Sequence, residues 1–162
     1  MQAKPTFSQA RSAARQRVLQ ALYQWQLTAL DTQLIESQFL EEQDMQKADV
    51  SYFKLLLHGI PPQINELDTM FAPFLDRNTT QLDPIELAIL RIGCYELKNC
   101  PKVPFKVVIN EAVELAKKFG ADKSHKYVNG VLDKLAHHRN KKKEIENKES
   151  EIGHNKGELL VP

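Results

Sequence analysis

The stretch that decides the fold is VPFKVVINEAVELAKKFG, Val103 to Gly120. Taken alone, FKVVI from Phe105 to Ile109 is a short apolar, β-branched run that could form a strand. The residues after it argue otherwise. Glu111, Ala112, Leu115, Ala116, Lys117 and Lys118 are strong helix formers, and Gly120 closes the pattern as a helix-ending glycine. With this segment helical, no candidate strand is left and the chain reads as all-α.

Working outward, helix punctuation continues on both sides. LDPIELAILRIGCYELKNCP carries the cleanest start signal, with Asp83 as N-cap, Pro84 at the first helical position and Glu86 at the third. Its apolar residues (Ile85, Leu87, Ala88, Ile89, Leu90, Ile92) go almost all round, which predicts a central, buried helix. On the other side, SHKYVNGVLDKLAHH puts Val128, Val131, Leu132 and Leu135 on one face. Gly130 inside that period is expected to permit close helix packing. Earlier segments follow the same rules. Thr6 and Gln9 fit a capping box, with Ser8 as an alternative cap, and QLIESQFLEEQDM repeats at helical spacing. DVSYFKLLLHG starts at Asp49 and stops at Gly59, where His58 suits the negative end of the helix as a capping cation. PPQINELDTMFAPFL lines up Ile64, Leu67, Met70 and Phe71. About seven helices result, joined by short connections. From Arg139 the composition turns to Lys, Glu, Asn and Gly, so residues 139–162 are expected to be a charged, disordered tail.

The 162 residues suffice for one domain with a proper core. No run approaches ~20 apolar residues, and the start lacks the apolar region of a secretory signal, so a cytoplasmic location is expected. Cys94 and Cys100 are the only cysteines and are expected to stay reduced, as neither a zinc site nor a disulfide framework. There is no Gly-rich phosphate loop, zinc-helix motif or nucleophile elbow, so no catalytic residue, metal or cofactor is predicted and the chain is not read as an enzyme. Glu111 and Glu114, one turn apart, read as an exposed acidic face.

The net charge of +1 hides a segregation. Before Asp31 there are four basic residues and no acid, whereas Asp31 to Ala136 holds 12 basic and 16 acidic residues. Arg139, Lys141, Lys142 and Lys143 then restore positive charge. The first helix, FSQARSAARQRVLQALYQWQL from Phe7 to Leu27, therefore begins with cations where the helix dipole disfavours them. Projected at 100° per residue, Ala14, Val18, Ala21, Leu22 and Trp25 form its core stripe. Arg11 and Arg15 are expected to overhang the core and, with Lys4, to offer planar forks to phosphate. Leu19, Tyr23 and Leu27 fall outside the stripe, as a second core layer or a protein-binding strip. Lys123, Ser124, His125, Lys126 and Tyr127 repeat the pattern at the last helix, where backbone N–H groups, lysines and a ring suit a single strand.

ARSAARQRVLQALYQWQL, LDPIELAILRIGCYEL and VPFKVVINEAVELAKKFGADKSHKYVNGVLDKLA together resemble the NusB family of bacterial transcription antitermination factors, over about residues 5–138. The resemblance implies two packed three-helix-like bundles. It implies binding of the single-stranded boxA element of ribosomal RNA leaders together with NusE, a small-subunit ribosomal protein, within an RNA polymerase antitermination complex. By position it implies an RNA site of Lys4, Arg11 and Arg15 with Asp122, Lys123, Ser124, Lys126 and Tyr127. It also implies a NusE face of Tyr23, Leu27, Phe74, Glu86 and Arg91. That face could also self-associate into a homodimer. The alternatives are a stand-alone RNA-binding module related to the N-terminal domain of ribosomal RNA methyltransferases, and a purely structural interaction module.

Overall fold

In the computed structural model, which describes residues 3–159 (side-chain surroundings through 152), no described residue is in a strand. Seven α-helices follow one another: α1 Phe7–Thr28, α2 Thr32–Glu42, α3 Val50–Gly59, α4 Ile64–Phe71, α5 Pro84–Asn99, α6 Phe105–Phe119 and α7 Ser124–Leu159. Single 3-10 turns at Pro61–Gln63, Ala72–Phe74 and Thr79–Gln81 bend the connections. The stretch from Phe105 is helical throughout, so its β-branched start is overruled by the helix formers after it.

The caps explain where the elements begin. Thr6 and Gln9 form the reciprocal capping box of α1. Asp83 accepts from the backbone N–H of Ile85 and Glu86 at the start of α5. Asp49 accepts from Tyr52 N–H at the start of α3. Each such cap contributes about 1 kcal/mol.

The helices form two packed groups, α1–α3 and α4–α7, with α5 against both α1 and α7. In the second group α4 packs on α5 and α7. One continuous apolar core runs through both groups, from Ala14, Val18 and Leu22 of α1 through Ile89, Leu90 and Ile92 of α5 to Val128 and Leu132 of α7. α5 is central, as its all-round apolar pattern predicts.

Two expectations change. Gly130 has nothing within 4 Å of where a Cβ would stand, so it serves no close packing. The close approach is at Gly93 of α5, where a Cβ would lie 2.8 Å from Leu132 Cδ1. His58 does not cap α3. Its ring lies between Thr32 Oγ1 at 3.2 Å and Glu36 Oε1 at 2.9 Å, tying α3 to α2. α7 runs on past Arg139 to Leu159, and residues 1–2 and 160–162 lie outside the described residues. Lys and Glu are good helix formers, and Glu144 with Lys148 has the favourable i,i+4 order. Past Arg139 the composition still buries nothing: every residue from Asn140 to Ile152 is exposed.

Candidate nucleic-acid interface

The arginines that open α1 are not alike. Arg15, on the core side of the helix, is only 3% exposed. Its Nε and Nη2 donate to the two carboxylate oxygens of Glu96, both at 2.8 Å, and Glu96 is 1% exposed. Tyr52 Oη donates to the same carboxylate at 2.6 Å. Glu111 lies 3.6 Å from Arg15 and accepts from Ser12 Oγ at 2.6 Å, so it is half-buried and is not the free acidic face expected. Burial works against a charge on Arg15, and the Glu96 carboxylate overrides it, so its pKa is raised. Burial and that same carboxylate also push the Tyr52 phenol up.

Arg15 therefore does not overhang the core, and a phosphate cannot reach it. The expectation that it belongs to the RNA-contacting set is corrected: it is a positioning residue that joins α1, α3 and α5. The sequence held a sign of this. Glu96 falls one turn after Ile92 on a buried face, and a carboxylate there requires a cation.

Arg11 is half-buried. Its Nε donates to Asp49 Oδ2 at 3.1 Å, and its guanidinium lies over the Tyr52 ring at 3.8 Å and the Phe7 ring at 4.5 Å. Arg17 reaches Gln20, Gln43 and the Asp44 carbonyl. Lys4 is exposed ahead of the helix. The reversed charges of α1 are thus balanced by Asp49 and Glu96 brought in from other helices.

α6 lies between α1 and α7. Ser12 bonds Glu111, and Lys118 Nζ donates to Gln16 at 2.9 Å, so α1 and α6 run side by side in the same direction. On the other flank, a groove of about 600 Å³ between α6 and α7 is lined by Lys106, Asn110, Lys117, His125, Lys126 and Asn129, among others. The two predicted RNA clusters therefore sit at opposite ends of α6, about 20 Å apart for a helix of this length. Lys106, Lys117 and Lys118 occupy the interval. They carry no signal in the sequence beyond ordinary helix-forming lysines; the packing of α6 sets Lys106 and Lys117 on the groove beside α7 and turns Lys118 to Gln16 of α1. The ammonium groups of Lys102, Lys106, Lys123 and Lys126 bond no described group, and that of Lys117 has only a loose pair with Glu114 at 3.5 Å.

The start of α7 is a mixed place. Asp122 and Lys123 are exposed in the turn, and Lys123 has a left-handed backbone with φ 67°. Ser124 is buried and faces inward, so it is corrected from contact to support. Tyr127 is half-buried beneath the Arg77 guanidinium at 4.8 Å, and its hydroxyl has no hydrogen-bond partner among the described residues. Burial, with the Asp76 carboxylate nearby, pushes its pKa up.

The five residues of the predicted protein face divide in the same way. Leu27 and Tyr23 are 60% and 39% exposed at the end of α1, while their neighbour Leu19 is buried. Phe74 is half-buried with its ring 5.8 Å from His138. Arg91 is held by Asp68 in a two-point pair at 2.9 and 2.8 Å and donates to Gln26 Oε1, so it supports the face from behind. Gln26 in turn donates to the Pro84 carbonyl at 2.9 Å. Glu86, a half turn further along α5, has a raised pKa through burial and the charges of Asp83 and Asp76, opposed by Ser124 and Arg77. The start of α5 thus joins the Tyr23–Leu27 strip to the start of α7.

Among the described residues no helix is long and apolar enough to cross a membrane. Cys94 is buried and Cys100 half-buried, both free, and burial pushes the Cys94 thiol up to about 12.

The family model that matches is the NusB family, over residues 12–137. A transcription antitermination protein NusB from Marinomonas sp. (strain MWYL1) is 54% identical over 135 residues, covering 82% of this chain and 78% of that one. One of the same name from Serratia proteamaculans (strain 568) is 52% identical, covering 83% and 97%. Among solved structures, T. maritima NusB matches with a TM-score of 0.69 and 30% identity, over 82% of this chain and 92% of that one. A chain of a crystal structure of antitermination factors NusB and NusE in complex with double-stranded RNA matches with a TM-score of 0.70 and 28% identity, over 77% of this chain and 94% of that one.

Proposed function

The chain belongs to the NusB family, and we propose on that premise that it is a non-enzymatic, cytoplasmic transcription antitermination factor that binds boxA-type single-stranded RNA jointly with NusE and helps RNA polymerase read through terminators. RNA phosphates follow α6 from the Lys4 and Arg11 end to Lys123 and Lys126, with Lys106, Lys117 and Lys118 between. NusE takes the Tyr23–Leu27 strip, rimmed by Phe74 and Glu86, with Arg91 holding the strip in shape. The start of α5 then sets the partner beside the α7 end of the RNA.

The observation that supports this most is the set of exposed lysines without a described acidic partner, Lys106, Lys123 and Lys126, on a segment whose overall charge is negative. Lysines left in water along one edge attract a polyanion at little cost, since no ion pair must first be broken. The test is a titration of boxA-bearing RNA, a scrambled strand and a duplex, each with and without NusE, at several salt concentrations. Tighter binding of the boxA strand in the presence of NusE is expected. At about 0.7 per phosphate contact, the seven cations together give a log–log salt slope of about −5 on a single strand. Equal affinity for the boxA and scrambled strands with NusE present overturns the reading.

A further inference from the structure

We propose that a cleft between the start of α1 and the start of α6 holds one unstacked nucleobase of the bound RNA, with Phe7 as its stacking platform; this rests on the RNA-binding reading above. The cleft, about 340 Å³, is built from Phe7, Arg11, Lys102, Val103, Pro104 and Val107, with Ser8 and Arg15 behind. Phe7 is 71% exposed, the most exposed large apolar side chain among the described residues. One face of its ring is covered by the Arg11 guanidinium, itself backed by the Tyr52 ring, so the other face is the open one. Val107 is exposed beside it and Pro104 caps the start of α6, which gives the cleft an apolar floor.

An exposed ring over a cation is arranged as a single-stranded base requires. Stacking supplies affinity without sequence readout, and the guanidinium behind the ring adds its own attraction. The charge around the cleft has one sign. Arg11 and Lys102 line it, and the carboxylate nearest Arg11, Asp49, is already engaged by its Nε and by the α3 cap. A base entering here therefore brings its phosphate toward cations. A protein partner is the weaker occupant, because a stable protein interface takes about 20–30 residues a side and this recess is built by eight.

The experiment is equilibrium binding of boxA-bearing RNA with 2-aminopurine placed at successive positions, in the presence of NusE, to the unaltered chain, Phe7→Leu and Phe7→Trp. Phe7→Leu keeps an apolar side chain and removes the ring, at a site too exposed to endanger folding. The expected result is a loss of about 5- to 150-fold in affinity for Phe7→Leu with the salt slope unchanged. Quenching at one nucleotide should be relieved in Phe7→Leu and kept in Phe7→Trp. Equal RNA affinity and quenching for all three proteins overturns the cleft while leaving the RNA reading intact. Weakened association with NusE, or loss of self-association, at unchanged RNA affinity assigns the cleft to protein and also overturns it. Absence of RNA binding by all three overturns the RNA reading itself.

Discussion

Two regions of this molecule carry cations at the start of a helix, and they differ in every physical respect. At the α1–α3–α5 junction Arg15 is sealed from water, with both nitrogens of its fork on Glu96 and Tyr52 closing the same carboxylate. Along α6 and the start of α7, Lys106, Lys123 and Lys126 stand in water with no described partner. A buried, paired cation can position helices but cannot meet a ligand. An exposed, unpaired one does little for stability and remains available to a phosphate.

The sharpest way to break this contrast is to remove a charge from the junction. Arg15→Ala leaves Glu96 buried without a counter-charge and should cost about 3–5 kcal/mol in urea unfolding. A loss within about 0.5 kcal/mol, the usual range for a surface change, would mean that the junction is no more buried than the lysine row. The glycines make a smaller version of the test. Gly93→Ala pushes a methyl against the fully buried Leu132 and should destabilise by about 1–3 kcal/mol. Gly130→Ala, on the open face of α7, should instead stabilise by roughly 0.5–1 kcal/mol. Both are read as midpoint shifts at constant slope. If Gly130→Ala destabilises, that face is packed after all.

The smallest effect concerns Glu36 and His58, a pair between the two extremes. The His58 hydrogen bond holds the Glu36 carboxyl below its ordinary value. Its contribution is therefore present above the usual carboxylate range and is lost as pH falls through the lowered folded value. Glu36→Gln should flatten the acid limb of a stability–pH curve slightly, and an unchanged limb would show that the pair contributes nothing.

What could be read from residues alone was set by periodicity and caps. Asp83–Pro84–Glu86 and Thr6–Gln9 mark helix starts because their chemistry is local, and the apolar circumference of α5 marks a centre because nothing else can cover it. Partners distant in sequence were not legible. Arg15 and Glu96 are separated by 81 positions, so a wheel drawn for α1 alone leaves Arg15 looking for a ligand. The same limit hid Lys106 and Lys117, which line one groove only once α6 packs on α7. Gly130 shows the opposite error, where a propensity cost suggested a packing purpose that the fold does not supply.

The central claim is that RNA reads the exposed row and not the buried junction. It is tested most directly by the salt dependence of boxA RNA binding, with NusE present, for two triple variants. One is Lys106→Ala, Lys117→Ala and Lys126→Ala. The other replaces the junction with apolar groups of similar volume, Arg15→Met, Glu96→Leu and Tyr52→Phe, a kind of swap that often keeps a fold intact. The lysine variant should lose about 2 from the log–log slope, at about 0.7 per contact, while the junction variant keeps the slope and affinity of the unaltered chain. An unchanged slope in the lysine variant together with a reduced one in the junction variant would contradict the account.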